Sequence, residues 1–327
     1  MNKRERLERT ITGEPTDRSP VIAWRHFPGD DQRSLDFAGA VLHFQQTYDW
    51  DAAFITPANG YMVTDYGAGD EWTGSADGQR VFQKRAIQRT LDWTALRPLD
   101  PARGSFGRVA EAIRVVHDSL GESVPLLVTV YAPLVQAADL SGQLTLTRHL
   151  RTQAERVHTG LNTFAESTLR WIDALRRLPI AGIHYVIDAA DYTLYSEDEY
   201  TAFGLPYDRK IIDSLPSKFW FNMISISGEQ PMFKFAGAFK VQAVHWHDRA
   251  AEPTLAIGKA LFAGAACGGV GTRDMYLATP NAIRDAAREA IIQMNAHRLI
   301  VAPGGVIPVT TPISNLRALR DAVERSI

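Results

Sequence analysis

His245 and His247 stand two residues apart in the segment VHWHDR, so on an extended strand their imidazoles share one face. Imidazole titrates near neutral pH, and a pair of them beside a carboxylate such as Asp188 is equipped for acid and base catalysis. The same trio could instead hold zinc with an open coordination position. Arg25 offers a guanidinium able to grip a carboxylate or phosphate through two parallel hydrogen bonds, or to pair locally with Asp30, Asp31 or Asp65. His26 is a further candidate, but successive residues on a regular strand face opposite ways, and of the two we place Arg25 first. Tyr131, Asn222, Ser225, Ser227, Asp248 and Arg249 complete the polar set. Glu229 reads more simply as an acidic first-turn residue of the next helix than as a general base. The glycines of AACGGVGTRD lack the strand-to-helix context of a phosphate-binding loop.

These residues share a position along the chain pattern. Eight short apolar runs recur, each followed by a helix-like stretch: 21–24, 51–56, 126–131, 182–187, 219–224, 241–246, 260–266 and 299–302. Eight alternating strand and helix units predict a (β/α)8 barrel of the TIM type in a single domain, 1–327. Such a barrel collects its chemistry at the C-terminal ends of its strands, where the polar set falls. MNKRERLERTITG predicts a charged amphipathic helix before the first strand, with Pro15 and Pro20 breaking the pattern after it. The long irregular stretch 58–104, after the second strand, predicts a lid over the mouth, or a small hairpin within TGSADGQRVFQKRAI. Helical periodicity covers 149–178, 281–297 and 314–325, the last with Ser314 as its N-cap.

Composition removes several classes of function. With 22% charged residues, 45% hydrophobic residues and a net charge of −2, neither disorder nor a nucleic-acid surface is indicated. One cysteine, Cys267, excludes an intrachain disulfide and any multi-cysteine metal site, and its apolar surroundings predict a buried inert thiol. No apolar stretch is long enough for a membrane span, and a cytoplasmic location is expected.

Four segments in order, MNKRERLERTITGEPTDRSPV, APLVQAADLSG, SEDEYTAFGLPYDRKII and LIVAPGGVIPVTTPISNLRAL, make the chain resemble the uroporphyrinogen decarboxylase superfamily over nearly its whole length. WRHFPGDD and VHWHDR look like a divergent branch near the zinc-dependent methyl-corrinoid:coenzyme M methyltransferases. The resemblance implies a barrel, a homodimer, and a corrinoid protein or corrinoid-bound methyl group as partner. It does not carry over the methyltransferase zinc site: where that pattern places His-x-Cys and a distant Cys, this chain has Ser225-Ile226-Ser227 and Gly305. Nor does it carry over the decarboxylase site. Arg25 matches its first arginine, but Gly29 falls near the second, Ala58 near the aspartate, Asp139 near the tyrosine and Gly305 at the histidine.

The expectation is therefore a zinc-independent enzyme acting on a small anionic or methoxylated compound. Methyl or one-carbon transfer ranks ahead of a decarboxylase-type lyase with altered substrate, and both stand beside a barrel that only binds a ligand or a corrinoid partner.

Overall fold

The computed structural model describes residues 1–324. Its strands are β1 (Ala53–Ile55), β2 (Gly69–Glu71), β3 (Val81–Lys84), β4 (Leu126–Tyr131), β5 (Gly182–Val186), β6 (Met223–Ser225), β7 (Ala243–His245), β8 (Ala265–Val270) and β9 (Leu299–Pro303). Seven of them form one parallel sheet in the order β1-β4-β5-β6-β7-β8-β9. The extended segment around Val21 bridges its two edges. Ile22 donates its backbone N–H to Val301 (3.0 Å), Val301 donates to Pro20 (2.8 Å), and Asp51 donates to Val21 (2.9 Å). The expected eighth strand is thus present as a closing contact rather than a full ladder. Pro20 precedes the segment and Pro303 ends its partner β9, and proline has no N–H for the ladder.

Two apolar layers follow from the period of two. Residues on one face, among them Ile22, Trp24, Phe54, Leu127, Met223, Cys267 and Ile300, fill the barrel interior. The other face packs against the helices. The N-terminal helix Lys3–Thr12 closes the bottom: Asn2 caps it by accepting from the Glu5 N–H (2.8 Å), and Leu7 inserts fully buried into the interior cluster. It is pinned by charge. Arg6 and Arg18 both donate to Asp51, at 2.6 Å and 2.7 Å, and the same carboxylate accepts the Val21 N–H at 2.7 Å.

Boundaries moved where a helix or turn competed. The 260–266 run begins inside a helix, Leu255–Leu261, and β8 starts only after the turn at Gly264, extending to Val270. The strand expected at 219–224 is confined to Met223–Ser225, Phe219 to Asn222 being irregular backbone after the turn at 217–218. The 149–178 stretch divides into Gln143–Thr152 and Ala154–Leu175. The last helix starts at Ile313 with Pro312 as its cap, so Ser314 lies inside it, and Arg325 is outside the described residues. Among the described residues no helix is long and apolar enough to cross a membrane.

The 58–104 stretch is both hairpin and cover. β2, which precedes the TGSADGQRVFQKRAI segment expected to hold the whole hairpin, pairs antiparallel with β3 inside it, and their connection folds back so that Val309 donates its N–H to Ala76 at 2.7 Å. Gly78, at φ +76°, passes so close to His26 and Val309 that a Cβ there would lie 2.9 Å and 3.0 Å from their side chains.

Candidate functional site

A cavity of about 230 Å³ opens at the C-terminal end of the strands, beneath this hairpin. Its lower wall is a line of side chains one from each successive strand end: Thr56, Thr129, His184, Ser225 and His245. Inward parity places them there, since each continues the alternation of the apolar interior residues below it. They are hydrogen bonded in series. Thr56 Oγ1 lies 3.3 Å from Thr129 Oγ1, which lies 3.3 Å from His184 Nδ1. His184 Nε2 is 2.6 Å from Ser225 Oγ, Ser225 Oγ is 2.7 Å from His245 Nδ1, and His245 Nε2 is 3.1 Å from the Pro303 carbonyl.

The end of that series fixes every proton in it. A carbonyl only accepts, so His245 carries hydrogen on Nε2 and accepts at Nδ1 from the Ser225 hydroxyl. Ser225 in turn accepts from His184 Nε2–H, leaving His184 Nδ1 to accept from Thr129, which accepts from Thr56. Both imidazoles are neutral in this arrangement. Burial works the same way: it pulls His184 down to about 3 and His245 well below its ordinary value, the latter helped by His247 and His184 nearby. Trp24 packs edge-on against both rings, at 5.1 Å and 4.8 Å between centroids. Replacing Ser225 with Ala leaves two buried ring nitrogens short of a partner. We expect a loss of about 1–3 kcal/mol, read as a lowered denaturant midpoint at unchanged slope.

Above this floor the groups are less committed. His26 donates from Nδ1 to the Pro57 carbonyl at 3.0 Å, so Nε2 is its unprotonated nitrogen, and burial lowers its pKa to about 4. Asp188 is pushed up to about 6 by burial, against the opposing pull of Ser227, and its Oδ1 has no hydrogen-bond partner. Tyr131 is held far above its ordinary range by burial among Tyr61, Asp139 and Asp188. His247, Thr272, Gly305, Asp77 and Gln79 complete the polar lining, with Trp24, Val186 and Val306 as apolar walls.

Seven of the sequence candidates therefore converge: His26, Tyr131, Asp188, Ser225, Ser227, His245 and His247. The others do not. Arg25 points into the helix layer, its guanidinium 5.3 Å from the Phe27 ring centroid and its Nε donating to the His26 carbonyl, so the preference for Arg25 over His26 is reversed. Asn222 precedes β6 and sits at the opposite end of the barrel, accepting from the Ile183 N–H (3.2 Å) and donating to Phe219 O (2.8 Å). Arg249 turns away to the Gly269 carbonyl (2.9 Å) and Glu289 (3.0 Å). Glu229 is exposed in a bend, with the next helical turn starting only at Phe233. His184, Thr129 and Thr56 were missed; their signal was parity, since His184 lies four residues before Asp188 and shares its face.

In this arrangement Ser225 is hydrogen bonded to two imidazoles, Gly305 has no side chain, and both ring nitrogens of His245 are hydrogen bonded. Among the described residues no group of three His, Cys, Asp or Glu side chains is placed to hold a metal. Cys267 is buried and its thiol is raised well above the ordinary range by burial, as an inert core residue.

Comparison with known proteins places this geometry. The family model for uroporphyrinogen decarboxylase (URO-D) matches residues 38–326. A methylcobamide:CoM methyltransferase, MtbA, of Methanosarcina acetivorans is 22% identical over 231 residues, 65% of this chain and 66% of the relative. The corresponding enzyme of Methanosarcina mazei is 20% identical over the same shares. The matched stretch is just under two thirds of the length of these curated relatives. Among solved structures, a methyltransferase from Methanosarcina mazei superposes with a TM-score of 0.86 at 19% identity, covering 98% of both chains. A B12-independent methionine synthase from Shewanella sp. W3-18-1 gives 0.65 at 12% identity, covering 93% of this chain and 97% of that one. These likenesses show a shared fold built on the curled parallel sheet.

Proposed function

The chain belongs to the uroporphyrinogen decarboxylase (URO-D) family, and from that premise we propose that it is a zinc-independent methyltransferase that demethylates a small, uncharged, methoxylated compound. The carrying observation is the cavity lining: about 230 Å³ walled by hydroxyls, neutral imidazoles and apolar side chains, with no Lys or Arg among the lining residues. A substrate with several carboxylates needs cations to replace its hydration, and this mouth offers acids instead, Asp77 and Asp188. That argues against decarboxylation of a polyanion, and it favours the methoxylated over the anionic alternative. The size suits a single ring or a compound of similar bulk.

In the proposed reaction the methyl carbon leaves the ether oxygen for a nucleophile entering at the barrel mouth. The C–O bond breaks with its electron pair on oxygen, and Asp188 in its protonated form gives that oxygen a proton. The resulting carboxylate is reprotonated from solvent. A corrinoid protein would supply the nucleophile, a reading supported by the methylcobamide enzymes among the relatives. The role of the chain itself is to exclude water under the hairpin, orient the ether and protonate the departing oxygen. His184, Ser225 and His245 provide a neutral, rigid floor that does not compete for that proton.

The test is transfer from methoxybenzenes to free, chemically reduced cobalamin, following loss of the reduced corrinoid spectrum together with release of the phenol. Equal amounts of phenol and methylated corrinoid are expected. Release of carbon dioxide from carboxylated analogues with no methylated corrinoid would overturn the reading in favour of a lyase.

A further inference from the structure

Asp188 follows β5, and on the other side of the mouth the ends of β7, β8 and β9 bring together a second polar group that the proposed reaction does not use. Gly305 is not one of the glycines with a left-handed backbone, so conformation does not explain a glycine there. Space does: a Cβ at this position would lie 2.8 Å from His247 Nε2 and 3.2 Å from Thr272 Oγ1. Both atoms belong to residues lining the cavity, and Thr272 Oγ1 is buried with no hydrogen-bond partner. A buried hydroxyl without a partner costs free energy that a ligand oxygen would recover. With glycine at 305, no Cβ covers these two polar atoms on that side.

We propose that the notch over Gly305 is a subsite for a second, uncharged oxygen substituent of the substrate, a hydroxyl group, bound between His247 Nε2 and Thr272 Oγ1. The groups facing it set that class. Thr272 can donate and accept, and burial holds His247 toward its neutral form, so neither supplies the positive charge a carboxylate would need. Trp24 and Val306 line the same cavity and suit an apolar ring between the two polar ends. This rests on the methyl-transfer reading for what happens at the Asp188 end, but not for binding in the notch.

The experiment is equilibrium binding of the three methoxyphenol isomers, each against the methoxytoluene in which methyl replaces hydroxyl, to the wild-type protein. At least one isomer is expected to bind about tenfold more tightly than its methyl counterpart. Thr272→Val, nearly the same in shape, should bring that ratio within threefold. Gly305→Ala should weaken the methoxyphenol about tenfold while moving the methoxytoluene less than threefold, with unchanged melting of both variants showing that they fold. Equal binding of each pair, no binding of any probe, or a preference that survives both substitutions overturns the subsite. A hydroxyl preference without methyl transfer to cobalamin leaves the subsite standing and removes the proposed function; transfer without the preference does the reverse.

Discussion

Replacing Asp188 with Asn is expected to lower the methyl-transfer turnover number by about 10²–10⁴-fold, the range by which a positioned general acid accelerates its step. The amide keeps the shape of the carboxyl but has no acidic proton to give. The pH profile provides the diagnostic sign. With its pKa raised to about 6 by burial, Asp188 is mostly protonated below pH 6, and only roughly one molecule in ten carries the acid form at pH 7. Wild-type turnover should therefore fall as pH rises through 6, about tenfold for each further unit, and the Asn variant should lose that descending limb. A variant that keeps the limb would assign the proton to another group. Binding of substrate should change little, because the carboxyl is asked to act on the oxygen as it departs rather than on the ground state.

Replacing Asp51 with Asn is expected to cost about 3–5 kcal/mol of stability, the effect of removing one partner from a buried ion-pair network. Asp51 is completely buried and takes hydrogen bonds from Arg6, Arg18 and the Val21 N–H. Arg6 also reaches Asp17 through two further bonds at 2.8 Å. An amide would leave Arg18 with only the more distant Glu324, at 3.4 Å, as a charge partner and would turn N–H donors toward the guanidinium groups. The place matters as much as the magnitude: this carboxylate ties the N-terminal helix, the Val21 segment and β1 at the seam where the barrel closes. Urea unfolding should show a lower midpoint, and loss of the cooperative transition would mean that the seam opens before the rest. A change below 1 kcal/mol would show that Asp17 alone holds Arg6 and the helix.

Much of this architecture is legible residue by residue. β-branched and apolar runs at 126–131, 182–187 and 299–302 became strands with ends moved by no more than a residue, because each is bounded by turn-forming residues and no helical pattern overlaps it. The weaker cases share a cause. At 260–266 the apolar residues satisfy both periods, and the helix after Thr254 took the first of them. The Val21 run has the composition of a strand, yet only Val21 forms a bridge, between Pro20 before it and a β9 partner that ends in Pro303. Seven of the eleven site candidates reached the cavity because strand-end position is a local property of the sequence.

Facing was the harder question, and two neighbours show why. The sequence establishes that Arg25 and His26 point opposite ways, since that follows from backbone geometry alone. Which of them points inward depends on how the Val21 segment meets β9 and β1, contacts made with residues far along the chain. The same holds for the floor of the site. His184 is, by itself, one polar residue in an apolar strand, and nothing local distinguishes a packed histidine from a functional one. Its role is set by Ser225 and His245, brought within 2.6–2.7 Å of one another's hydrogen-bonding atoms only by the register and tilt of three adjacent strands. The sequence by itself determined the barrel, its closing end and the polar residues available there, because those follow from periodicity. Tertiary structure decided which side chains meet and which nitrogens carry protons, because a hydrogen bond depends on distances between strands that no local pattern encodes.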